Sequence, residues 1–354
     1  MNEDKYLIVK GIAGLGNRIL SALTGILYAR LTSRRLIIDW RDPVYSSYGS
    51  NVFHNFFQSP LVSLKNEIPV TDSVSPEIWR GHLRESAWDM TDRYGNFYHR
   101  YNWKKFSIDL SKLDYQEDVL VMWTYVDRVD FLRPHFRGEF KEFSQKSRKE
   151  ILKKLLREDL NLHPQIRERV DKFKSSFLRR KTVGVHIRYT DHRAGLWSIL
   201  NRLNKLLEQE PELQIFLATD NIQIKKLFDE KYQRVITTQH WYPAPGLTIH
   251  QNPSCPDLLE NGIEALIDLY LLAECYYLII DTSSIFSYVA ALLTNAPDSN
   301  IFNINPRERG GKRSQRHLRI IWRLMLRLGL FSWGPGALNT LMKMIEPIKV
   351  GRKR

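Results

Sequence analysis

The chain has 354 residues, 43% hydrophobic and 26% charged, with a net charge of +14, a length that suits two α/β domains better than one core. No apolar run reaches the roughly 18 residues of a membrane span, and the opening Met1-Asn2-Glu3-Asp4-Lys5 lacks the basic-then-apolar pattern of a signal peptide. Two cysteines, Cys255 and Cys275, and no usable Asn-x-Ser/Thr acceptor argue against a disulfide-stapled secreted protein, so a cytoplasmic location is expected.

Tyr6-Leu7-Ile8-Val9-Lys10 reads as a short buried strand. Gly11-Ile12-Ala13-Gly14-Leu15-Gly16-Asn17-Arg18 follows as a glycine loop, then an amphipathic helix over about 19–30, then a second strand over 36–40. Such a β-loop-α-β unit builds doubly wound sheets. The glycines permit a tight turn, and a helix N-terminus offers free N–H groups to an anion. A dinucleotide fingerprint would want glycine where Ile19 stands, so no dinucleotide cofactor is read here. A plain βα turn is the alternative; Asn17 and Arg18 at the helix entrance favour a ligand loop, with Gly14 and Gly16 as its backbone contacts.

The stretch 42–125 is rich in Trp, Tyr, His and Asn and has no clear period. It reads either as a carbohydrate-facing surface or as an irregular core. Charged helical stretches over 141–156 and 165–178 are expected to join the domains. A second α/β series then begins, with strands expected at 182–187, 214–219, 234–237 and 277–281. Helices are expected between and after them, near 196–208, 222–231, 263–273 and 284–293.

Three strand ends carry polar groups. In Val183-Gly184-Val185-His186-Ile187-Arg188-Tyr189-Thr190-Asp191 an apolar run ends in His-x-Arg-x-x-Asp. Parallel sheets bind ligands beyond the carboxyl ends of their strands, and arginine matches a diphosphate through charge-assisted, bidentate hydrogen bonds. Phe216-Leu217-Ala218-Thr219-Asp220-Asn221 ends likewise, and Ile279-Ile280-Asp281-Thr282-Ser283-Ser284 leads into a hydroxyl-rich helix start that can hold phosphate oxygens. Asp220 and Asp281 could equally be helix caps. Three polar strand ends in one sheet make a convergent crevice.

Over 301–354 there are 13 Lys/Arg against 2 Asp/Glu, so most of the positive excess sits in a tail. Arg313, Arg316, Arg319, Arg323 and Arg327 recur at spacings of three and four. The segment 313–331 reads as a basic amphipathic helix, suited either to anionic lipid at the inner membrane face or to packing on the first domain. The basic excess is terminal and no nucleic-acid signature accompanies it, so nucleic acid is not an expected partner.

The order GLGN-R, VHIR-x-T-D, FLATD and S-S-x-F-S, spread over about 6–293, resembles the GDP-fucose-dependent fucosyltransferases, on the NodZ-like and core α1,6 side of that superfamily. The resemblance implies a GT-B architecture: an acceptor-side domain (1–165), a GDP-sugar-binding domain (166–305) and the basic tail (306–354). It implies that Arg188 holds the donor β-phosphate, with His186 beside it and Asp191 closing the motif. Asp220 corresponds to the first acid of the family's ATDD segment, whose second acid is Asn221 here. Asp268 falls where the family places an acid near the guanine, and Ser284 matches a phosphate-contacting serine, with Ser283 and Ser287 as neighbours. The family's glutamate base has no counterpart, since Gly195 and Leu196 stand there and His192 replaces a lysine. Asp39 and Asp42 are weak substitutes. No Asp-x-Asp pair is present to hold a metal on the diphosphate, so metal-independent transfer is expected. An α1,2 transferase of the same superfamily and a degenerate nucleotide-sugar binder are the alternatives.

Overall fold

A computed structural model describes residues 5–46, 49–63, 68–94, 103–190, 195–243 and 254–305. Asp191 and the tail 306–354, including 313–331, lie outside the described residues. The strands, in chain order, are β1 (Tyr6–Lys10), β2 (Arg35–Asp39), β3 (Phe57–Gln58), β4 (Val74–Ser75), β5 (Val119–Met122), β6 (Asn161–Leu162), β7 (Thr182–Ile187), β8 (Gln214–Thr219), β9 (Val235–Ile236), β10 (Tyr277–Ile280) and β11 (Ile301–Asn303). The longer ones are continuous apolar runs because helices cover both faces of a parallel sheet.

Two parallel sheets result. The first has the order β2-β1-β5-β4 and the second β11-β10-β7-β8-β9. In the second, the chain steps outward from β7 through β8 to β9, then returns to β10 on the other side of β7. The strand order therefore reverses between β7 and β10. In the first sheet it reverses between β1 and β5. Crevices open beyond the carboxyl ends of strands at such reversals, and the glycine loop leaves β1 while the Arg188 segment leaves β7. The fold is the α/β, GT-B-type architecture expected from the motifs.

One apolar core runs through both sheets, joining Leu7, Val9 and Leu23 to Leu269, Leu278, Ile280 and Val289. Residues up to Ile304 accordingly form a single unit by contact. The opening helix, Leu15–Thr32, is buried along almost its whole length. It begins four residues earlier than its apolar period indicates, because Gly14 is the cap and Leu15-Gly16-Asn17-Arg18 form the first turn. The expected helix at 141–156 is broken into Lys141–Ser144 and Arg148–Glu158, the latter started by a capping box between Ser147 and Glu150.

The aromatic middle is core, not a sugar-facing surface, for its largest members. Trp79, Met90, Phe106 and Trp123 are buried in one cluster, and Trp79 Nε1 donates to the Phe106 carbonyl at 2.8 Å. Among the described residues no helix is long and apolar enough to cross a membrane.

Candidate active site

A cleft between the carboxyl ends of the two sheets is lined by Gly14, Gly16 and Asn17 from the first half and by His186, Arg188, Asp220 and Asp268 from the second. Seven of the residues expected at the site from sequence therefore meet in one place. Two helix N-termini meet there too. Leu15 opens one, and Ile285 and Phe286 open the other, the helix Ile285–Leu293. The helix dipoles make both ends attractive to an anion. Asn17 Nδ2 donates to the Tyr125 carbonyl at 2.6 Å, which ties the loop after β1 to the chain after β5.

Arg18 is the exception. It is fully buried, with Nη2 on Asp42 and Nε donating to the Ala13 carbonyl at 2.8 Å. Its guanidinium stacks 5.1 Å from the Tyr45 ring centre and 5.7 Å from that of Trp40. Arg18, expected to be a donor contact, is not among the residues lining the cleft and shapes the wall behind it. Asp42 is buried against Arg18 and is not among the residues lining the cleft, so it is not placed to act as a base, although burial outweighs Arg18 and raises its pKa. Asp39 is removed in the same way, since Lys10 Nζ and Arg41 Nε each lie 2.6 Å from its carboxylate and its side chain is buried.

His186 is buried, stacks on Phe286 with ring centres 4.9 Å apart, and places Nδ1 2.6 Å from Ser287 Oγ. Burial, reinforced by the Arg188 charge, pushes its pKa down to about 3. The imidazole is neutral at pH 7 and adds no charge beside Arg188. Folding then favours the unprotonated ring, so stability is full above the unfolded value of about 6.5 and is lost as pH falls toward 3. The thermal midpoint is expected to drop across that window by more in the wild type than in His186→Gln. Superimposable midpoint-against-pH curves for the two would contradict this.

Ser284 caps the helix Ile285–Leu293 without a side-chain capping bond, and its buried Oγ has no hydrogen-bond partner. It lies one residue before the lining residues Ile285 and Phe286. Ser283 is exposed, and its N–H is taken by Asp281 Oδ1 at 2.9 Å. Asp281 therefore holds the turn and does not face a ligand. Asp220 accepts from the Tyr189 N–H at 2.7 Å and from Thr190 Oγ1 at 2.6 Å, fixing the backbone that follows Arg188. Asn221, where the family has a second acid, caps the next helix by accepting from the N–H groups of Gln223 and Ile224.

Tyr45 and His240 also line the cleft and carry no motif that announces them. Tyr45 Oη accepts from the Leu15 N–H at 3.1 Å. Burial pushes its pKa to about 12, with Arg18 and Arg188 opposing the rise, so it is a neutral hydroxyl at pH 7. His240 sits in the loop after β9, with Nε2 2.8 Å from Asp268 Oδ2 and Nδ1 3.6 Å from Glu264. Burial lowers its pKa, but the Asp268 and Glu264 charges outweigh burial and lift it to about 10. Among the described residues, no group of three or more His, Cys, Asp or Glu is placed to share a metal ion.

No family model matches the chain. It is 22% identical over 333 residues to nodulation protein Z of Bradyrhizobium diazoefficiens, spanning 86% of this chain and 82% of that protein. It is 23% identical over 322 residues to nodulation protein Z of Azorhizobium caulinodans, spanning 82% of this chain and 90% of the other. The crystal structure of NodZ α-1,6-fucosyltransferase soaked with GDP-fucose aligns at a TM-score of 0.56 and 20% identity, covering 82% of this chain and 93% of that one.

Proposed function

We propose that this protein is a GDP-fucose-dependent fucosyltransferase that moves fucose with inversion onto a glycan hydroxyl, forming an α1,6 linkage. The observation that carries the reading is the cleft itself. It brings Arg188, two helix N-termini and the Asp268 carboxylate together in one lining. A guanosine diphosphate offers a partner for each, an anionic diphosphate and a hydrogen-bond-donating guanine edge. The relatives named NodZ and the GDP-fucose-soaked structure support the donor and the linkage.

Residues 166–305 serve as the donor half, 1–165 as the acceptor side and 306–354 as a basic tail. Gly14, Gly16, Asn17, His186, Arg188, Ser283 and Ser284 surround the diphosphate, Asp191 closes the Arg188 motif, and Asp268 takes the base. Ser283 contributes through its position in the turn. The acceptor oxygen attacks fucose C1 as the bond to the β-phosphate oxygen breaks, through an oxocarbenium-like transition state. The bonding pair leaves with the phosphate, where Arg188 and the helix N-termini meet the growing negative charge. The acceptor proton leaves to a base that neither Asp39 nor Asp42 supplies.

Arg188 and the helix ends take the place of a divalent ion. Product formation should single out GDP-fucose among GDP- and UDP-sugars, and it should survive excess chelator. Loss with chelator and recovery with magnesium or manganese would refute metal independence; transfer from another sugar nucleotide alone would refute the donor. Peripheral binding of the basic segment 313–331 to anionic lipid completes the proposal. Flotation of the full chain with anionic but not neutral vesicles tests it, and no flotation at low salt ends it.

A further inference from the structure

His240 holds both ring nitrogens close to acids. Nε2 lies 2.8 Å from Asp268 Oδ2 and 2.6 Å from Thr238 Oγ1, and Nδ1 lies 3.6 Å from Glu264. Thr238 Oγ1 in turn donates to Asp268 Oδ1 at 2.6 Å. Glu264 and Asp268 stand four residues apart on the helix Leu258–Glu274, so both carboxylates lie on one helical face. Alone, they would repel each other beside a site where Asp268 is almost fully buried. His240 bridges them, with a side chain only 7% exposed. With Nε2 hydrogen-bonded to Asp268 and Nδ1 facing the Glu264 carboxylate, the ring is no general base; it is a fixed cation.

We propose that His240 is a positioning residue that fixes the Asp268 carboxylate for recognition of the donor's guanine. The inference rests on the fucosyltransferase reading, in which Asp268 faces the base. Each Asp268 oxygen is anchored from one side, Oδ1 by Thr238 and Oδ2 by His240, which sets the plane of the carboxylate. Each oxygen retains further acceptor capacity. A carboxylate fixed in plane can receive two parallel N–H groups, and guanine offers N1–H together with its 2-amino group. Hypoxanthine offers N1–H alone. The raised pKa of His240 supports this, because the ring keeps its charge throughout the neutral range. A carboxylate free to rotate must give up that freedom to receive both N–H groups, which erodes the preference for guanine.

The test is calorimetric titration of the full chain with GDP, inosine diphosphate and inorganic pyrophosphate. Wild type is expected to prefer GDP over inosine diphosphate by at least about tenfold. In His240→Ala that preference should fall below about threefold, with pyrophosphate affinity and kcat at saturating donor little changed and the donor KM raised. His240→Gln, which keeps one donor for Asp268, should recover part of the preference. Asp268→Asn separates the two ideas. If it loses the preference while His240→Ala keeps it, the positioning role fails and the guanine reading stands. If Asp268→Asn keeps the preference, the guanine reading fails and takes this proposal with it. A second measurement needs no variant: the wild-type His240 imidazole resonance should move on adding GDP and not on adding pyrophosphate. An unmoved resonance with GDP overturns the proposal.

Discussion

Arg188→Ala is expected to lower turnover by about 10²–10³, equivalent to ~3–4 kcal/mol of transition-state stabilisation. The side chain leaves the end of β7 at the strand-order reversal and faces the cleft. His186 and Tyr45, which line the same cleft, are both held neutral and add no competing positive charge. The two helix N-termini contribute too, but a helix end is worth about 0.3–1 kcal/mol to an anion, rising to about 2 when partly buried. A guanidinium making paired, charge-assisted bonds to a leaving phosphate outweighs either one. Lysine should rescue poorly, because an ammonium cannot reproduce the planar fork. Steady-state kinetics on the alanine and lysine variants, with thermal unfolding as the control for folding, measure this. Near-normal kcat in the alanine variant would remove Arg188 from the role assigned to it.

How far the site was legible in advance depended on whether its residues follow strands. β7 and β8 end where the apolar runs indicate, because both are buried on both faces and stop at polar residues. Their strand-end residues His186, Arg188 and Asp220 were legible for the same reason. Arg18 was misleading: a polar residue at a helix entrance looks the same whether it reaches a ligand or a buried carboxylate. Its partner Asp42 lies 24 residues on, and no local pattern links the two. His240 was invisible for the same physical reason, since its meaning comes from Glu264 and Asp268 on a later helix. β5 was missed because four residues carry too little period. The surrounding Trp and Tyr then left surface and irregular core equally open, and Trp79 and Trp123 fill the core beside it.

Gly16→Ala is expected to damage stability and donor binding together. A Cβ there would lie 2.9 Å from the Ile285 carbonyl carbon and the Phe286 nitrogen, and 3.0 Å from the Ile285 oxygen. These are backbone atoms at the N-terminus of the facing helix, so no side chain can rotate away to make room. Gly16 lies in the first turn of Leu15–Thr32, where alanine would gain up to about 1 kcal/mol of helix propensity. Overpacking costs about 1–3 kcal/mol in a well-packed core, and both helices are locked into one shared core. The cost outweighs the gain, for a net loss of up to about 2 kcal/mol. Relief requires the two helix N-termini to move apart, and those are the ends that would cradle the diphosphate. Affinity for GDP-fucose should therefore fall by about tenfold, or ~1.4 kcal/mol. Gly14→Ala is the control: its nearest atom would be Tyr45 Oη at 4.0 Å, and its φ of −74° suits any residue. Alanine at that cap should cost little beyond the few tenths to 1 kcal/mol typical of the position. Thermal midpoints and calorimetric affinities for both variants decide the matter, and equal behaviour at 14 and 16 would show that the close approach at Gly16 does not hold the site together.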